Sequence, residues 1–257
     1  MAIQLGNKVA GGFQQFVDLL LTKTPLFTVV VALITFVCGI LNIFLPVTSF
    51  FGLSVTNITL FRFHTLNTYP LVHHGFLTFL FGLAGIFFLM PRFERRYGTL
   101  CTIAMFFGFL EAIPGIAFLI ACYVSKSDTV FVGISGWTFS LLTMYLMNLF
   151  YDLHPKVLAL PQLVRMVLAI AAPMLILPFD FSESVVLHIT AVILSIIFSL
   201  AYIDILVPRA GFLVWVETKL SRVVDAIPNY ISVTEAAYYQ GDALPLHDLG
   251  SNSAGIV

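Results

Sequence analysis

Long apolar runs separated by short polar stretches set the pattern of this chain. Six runs come near the roughly 20 apolar residues that a helix needs to cross a bilayer core. They cover 26–45, 69–90, 100–124, 130–151, 163–179 and 185–206, the fifth being the shortest. Ahead of them, 1–25 shows no cleavable signal pattern. It carries Phe13, Phe16, Leu19 and Leu20 at helical spacing, as in a helix lying on a membrane surface. After Pro208 the composition changes. An interfacial amphipathic helix is expected over 211–224, with Trp215 as its anchor, followed beyond Pro228 by a flexible tail rich in Gly, Ser, Asp and Pro. The pattern predicts an all-α, six-span membrane bundle over 26–207, preceded by a segment 1–25 and followed by a segment 208–257.

Composition narrows the function classes. Hydrophobic residues make up 60% of the 257 positions and charged residues 10%, against about 25% charged in soluble domains. Mean hydropathy is +1.01. These values exclude a disordered chain, a disulfide scaffold and a soluble enzyme. The net charge of −1 offers no field for nucleic acid. Cys38, Cys101 and Cys122 are scattered and read as small buried thiols. With a cytosolic N-terminus and six spans, the cytosolic side holds Lys8, Lys23, Arg92, Arg95, Arg96, Lys156, Arg165, Arg209, Lys219 and Arg222. The opposite side holds Arg62 and Lys126, so the positive-inside rule supports six spans with both termini cytosolic.

Polar residues inside spans are costly and point to function. The fourth run opens Gly133-Ile134-Ser135-Gly136, which puts Ser135 about 7 Å inside the lumenal boundary at about 1.5 Å per residue. His188 in the sixth run reaches a similar depth, and His73 and His74 fall in the first turns of the second. A serine needs a base to take its proton, and a neutral imidazole can do so. Backbone N–H groups beside Ser135, those of Ile134 and Gly136, are candidate oxyanion donors. His188, Ala191, Ser195 and Ser199 share one helix face, a small-residue ridge suited to packing on Gly133 and Gly136. Glu111, followed by Pro114, is expected to be a protonated carboxyl hydrogen-bonded inside the bundle.

These pieces resemble the rhomboid intramembrane serine proteases, specifically the fungal rhomboid protein 2 branch, over about 65–249. The resemblance rests on Leu66-Asn67-Thr68-Tyr69-Pro70-Leu71-Val72-His73, on Arg92-Phe93-Glu94-Arg95-Arg96-Tyr97-Gly98-Thr99, on Gly133-Ile134-Ser135-Gly136 and on His188 with small residues three and seven later. The tail's Ala243-Leu244-Pro245-Leu246-His247 is also similar. The resemblance implies Ser135 as nucleophile and His188 as general base, without an orienting aspartate. It also implies membrane-anchored protein substrates, no metal or organic cofactor, and a Golgi membrane location. The family usually has a second His five residues after the first and an Asn nine after it, both oxyanion donors. Those positions are Thr78 and Gly82 here. Thr78 could still donate and His73 could support the site, which implies a slow protease. The Arg often found eight residues before the first His is Thr65, with Arg62 nearby.

Tyr239, Gly241 and Leu246, with Ala243, are spaced like an SHP box, a short peptide that binds a AAA unfoldase. The competing reading is a rhomboid-like pseudoprotease that binds membrane clients and passes them to such an unfoldase. A transporter using Glu111 and the histidines would need inverted repeats or paired broken spans, and neither is visible.

Overall fold

A computed structural model describes residues 23–147, 159–176, 184–200 and 207–239. The expected surface helix before residue 23 lies outside these residues, as do Gly241, Ala243, Leu246 and the side chain of Tyr239. The main helices are α1 (Leu26–Phe44), α2 (Phe76–Tyr97), α3 (Thr99–Phe106), α4 (Phe109–Ser125), α5 (Ser135–Leu146), α6 (Gln162–Ile176), α7 (Val185–Ser199), α8 (Ala210–Lys219) and α9 (Val233–Tyr239). Three stretches are long and apolar enough to cross a membrane: Leu26–Phe44, Phe76–Tyr97 and Thr99–Ser125, the last bent at 107–108. Gln162–Leu175 and Val185–Ser199 are shorter apolar helices.

Helix α5 sits at the centre, packed by α2, α4, α6 and α7. Its residues Gly136 to Leu141, with Thr143 and Met144, are buried all round the helix. A helix with no solvent face belongs in a core. Trp137 anchors that core against Phe27, Phe106 and Phe107. By contrast α1 turns Leu33, Phe36, Ile43 and Phe44 outward, an apolar surface that only a lipid solvent tolerates.

At the end of the bundle away from Ser135, the buried Glu94 ties three segments together. Its carboxylate accepts the N–H groups of Phe27 (2.7 Å) and Thr28 (2.9 Å) at the open first turn of α1. The hydroxyls of Thr28 (2.9 Å) and Thr99 (2.8 Å) also donate to it. The charged motif is therefore the last turn of α2, where Glu94 braces the bundle.

The segment after Pro228 departs from the expected flexibility as far as residue 239. The Asn229 carbonyl accepts from Leu26 N–H at 2.9 Å and the Ile231 carbonyl from Thr99 N–H at 2.8 Å. Ile231 N–H in turn donates to the Thr99 hydroxyl at 3.0 Å. Buried Glu217 on α8 accepts from the Tyr230 hydroxyl at 2.8 Å and from Val233 N–H at 3.1 Å. Backbone pairing, invisible to composition, holds this strap. It passes over Gly98, whose φ of +85° sits against the Val233 backbone. Outside the strap, Phe212 and Trp215 of α8 stack and stay exposed.

Candidate active site

Two expected spans begin late, and both changes shape the site. The second run enters a helix at Phe76, because 69–75 forms a 3-10 turn and then extended backbone. His73 and His74 therefore lie in the connection before α2. The fourth run enters a helix at Ser135, because residues 130–132 lie outside any helix, with Phe131 in an isolated β-bridge, and Ile134 (φ −84°, ψ 5°) is a turn residue. Phe131 pairs with Leu53 through two backbone hydrogen bonds of 2.8 and 2.9 Å, and Gly133 N–H donates to the Tyr69 carbonyl at 2.9 Å. Gly133 adopts φ +128°, a conformation that L side chains rarely take, which turns the chain from this strand-like stretch into α5.

Ser135 is thus the first residue of α5. The early N–H groups of a helix have no partner inside it. They point out of the helix end where the macrodipole is positive. Ile134 caps α5 through its carbonyl, which accepts from Thr138 N–H at 3.0 Å.

Ser135 Oγ lies 2.8 Å from His188 Nε2 on α7. His188 is buried and Ser135 half-buried. The Phe139 ring meets the imidazole edge-on at 4.4 Å between centroids, and Phe131 lies at 6.0 Å. The expected ridge on α7 is buried against α5 away from the two glycines. Ala191 and Ser195 are fully buried, Ser195 returns its hydroxyl to the Ala191 carbonyl at 2.7 Å, and the Ser140 hydroxyl of α5 reaches that carbonyl at 3.5 Å. Gly136 instead faces Leu187, and Gly133 faces Ser135 and His73.

His73 is buried beside the same loop, its Nε2 accepting the Ile134 N–H at 3.4 Å. Thr78 stands elsewhere: its hydroxyl donates to the Gly75 carbonyl at 2.8 Å and accepts Gly75 N–H at 3.3 Å, capping α2. His74 is exposed and meets the Val130 carbonyl at 3.4 Å. Glu111 is fully buried in the first turn of α4, yet neither carboxyl oxygen has a hydrogen-bond partner among the described residues, contrary to expectation. Tyr69 O–H donates instead to the Glu111 backbone carbonyl, at 3.4 Å. Sequence reasoning missed Phe139, although it lies one turn after Ser135 on the same helix face.

Comparison with known proteins agrees with this architecture. A family model described as the rhomboid domain matches residues 60–206. The chain is 68% identical over 258 residues to an uncharacterised rhomboid protein of Schizosaccharomyces pombe, covering 100% of each. It is 30% identical over 226 residues to rhomboid-type serine protease B of Aspergillus fumigatus, covering 87% of this chain and 83% of that one. Rhomboid-type serine protease 2 of Gibberella zeae is 27% identical over 237 residues, 88% of this chain and 85% of that one. This chain is a multi-pass membrane protein and belongs to the rhomboid family.

Proposed function

We propose that the protein is an intramembrane serine protease working through a Ser135–His188 dyad. The observation that carries this reading is the 2.8 Å separation of Ser135 Oγ and His188 Nε2. As His188 Nε2 takes the hydroxyl proton, Ser135 Oγ attacks the scissile carbonyl carbon. The peptide C–N bond then breaks, the proton passes to the leaving amine, and an acyl-enzyme ester remains. Water, deprotonated by the same imidazole, cleaves that ester and restores the Ser135 hydroxyl.

The oxyanion falls to backbone N–H groups at the start of α5, including that of Gly136, assisted by the helix dipole. The Ile134 N–H is engaged by His73, and the Thr78 hydroxyl by Gly75. That leaves a donor set thinner than the family's usual one and supports slow turnover, since one lost donor costs about 10²–10³ in rate. Substrates are membrane-anchored proteins, cut near the lumenal face of a Golgi membrane with both termini of the enzyme cytosolic. The membrane domain is 26–207, the flanking segments are 1–25 and 208–257, and the tail motif at Tyr239, Gly241 and Leu246 is a docking peptide for a AAA unfoldase.

One observation favours a second reading, a client-binding pseudoprotease. The usual donor positions are a capped Thr78 and a side-chain-less Gly82. Labelling with a fluorophosphonate probe separates the two. The protease reading expects label on the wild type and none on Ser135→Ala or His188→Ala. A folded wild type that takes no label, beside an active rhomboid that does, overturns it.

A further inference from the structure

Gly82 of α2 has no room for a side chain. A Cβ there would fall 2.6 Å from His73 Nε2 and 2.5 Å from Ile134 Cγ2. Carbon and nitrogen in van der Waals contact need well over 3 Å. The imidazole of His73 thus fills the space beside the bare α2 backbone. Its position is set from several directions. The Asn42 amide donates to the His73 carbonyl at 3.0 Å, and Phe79 meets the ring edge-on at 5.9 Å. His73 Nε2 accepts Ile134 N–H. That role requires a neutral ring with its proton on Nδ1. On the other side of the same peptide segment, the Ile134 carbonyl accepts Thr138 N–H (3.0 Å) and the Thr138 hydroxyl (3.3 Å).

Ile134 is therefore pinned at both its N–H and its C=O, and Ser135 follows it directly. The neighbouring Gly133 sees both partners: a Cβ there would lie 3.9 Å from Ser135 Oγ and 4.0 Å from His73 Cδ2. Resting on the dyad reading above, we propose that His73 is a positioning residue. Seated on Gly82, it holds Ile134 and thereby fixes the angle at which Ser135 presents its hydroxyl to His188. In this chain His73 and Gly82 act as one unit, since a Cβ at position 82 would overlap the imidazole where it stands. The ring accepts a hydrogen bond in this role and takes no proton from Ser135.

The chemistry of the test follows from the acceptor. Gln can place an amide oxygen where Nε2 stands, whereas Leu fills similar volume with nothing to accept a hydrogen bond. The inactivation rate constant and the probe dissociation constant are measured separately with a fluorophosphonate on the full chain, along with the thermal midpoint in detergent. For His73→Leu the inactivation rate constant should fall about 10- to 100-fold, the scale of a misplaced reacting group, while probe binding changes little. His73→Gln should recover most of the rate. Gly82→Ala should cost a similar factor by displacing the ring, and adding His73→Leu to it should cost little more, as coupled sites do.

An unimpaired His73→Leu, a His73→Gln as slow as His73→Leu, or additive losses in the double variant would overturn the proposal. If His73→Leu does not fold, the Gln variant and Gly82→Ala still decide it. A wild type that takes no label overturns the protease reading and this inference with it; a labelled wild type beside an unimpaired His73→Leu overturns the inference alone.

Discussion

Ser135 Oγ and His188 Nε2 meet at 2.8 Å across 53 residues of chain, and the Phe139 ring stands edge-on to the imidazole at 4.4 Å. An aromatic pair of this geometry contributes about 0.5–1.5 kcal/mol. Phe139→Leu should loosen the imidazole without removing it. The fluorophosphonate inactivation rate should drop about 3- to 10-fold, corresponding to that energy, with the thermal midpoint little changed.

The two glycines of Gly133-Ile134-Ser135-Gly136 answer to different constraints. Gly133 holds φ +128°, while Gly136 is helical, and a methyl added there would lie 2.9 Å from the flexible end of Leu187. Gly133→Ala therefore strains the backbone by about 1–3 kcal/mol and tilts Ser135. Its labelling should be severely reduced. Gly136→Ala asks for a small shift of Leu187 and should keep most of the labelling. Equal effects would contradict this assignment.

Glu94 collects four donors from α1 and Thr99 in a site closed to solvent. Glu94→Ala strands those donors, and each unsatisfied buried group costs about 1–3 kcal/mol. The thermal midpoint in detergent should fall steeply, or the protein should fail to accumulate as a monodisperse species. Thr99→Val should fall less, since it removes the bond to Glu94 and the acceptor for Ile231 but leaves α1 held.

The strap over 229–239 closes the Glu94 end of the bundle. A chain ending at Pro228 loses the bonds to Leu26 and Thr99 and should melt well below a chain ending at Tyr239. Tyr230→Phe removes only the bond to Glu217 and should cost about 1 kcal/mol. Both are read from thermal midpoints in one detergent.

Much of the architecture is legible in the residue order. Run lengths and composition suffice for an all-α membrane protein, because a bilayer core forces every backbone polar group into a helix or closed barrel. The motif pieces around His73, Glu94, Ser135 and His188 carry the family. Ser135 and His188 both fall near the lumenal starts expected for their apolar runs, and the small ridge of Ala191 and Ser195 indicates that α7 packs on a neighbouring helix.

Hydrophobicity alone misplaces the two helix starts that shape the site. The stretch 130–134 is as apolar as the helix it precedes, and Leu71 and Val72 extend the apolar run of α2 backwards, so hydrophobicity reads both stretches as span. What keeps them out of the helices that follow is pairing with distant backbone: Phe131 with Leu53 and Gly133 with Tyr69. Those partners satisfy the buried N–H and C=O groups that a helix would otherwise have to satisfy locally. The same holds for the strap, whose composition suggests flexibility until Leu26 and Thr99 supply its hydrogen bonds. Membrane class, family and the residues available for chemistry therefore follow from the order of amino acids. That Ser135 opens its helix, that His73 rests on Gly82 and that 229–239 is part of the bundle emerge only in the folded chain. Local pattern records burial, whereas long-range hydrogen bonding selects the backbone conformation in which that burial is achieved.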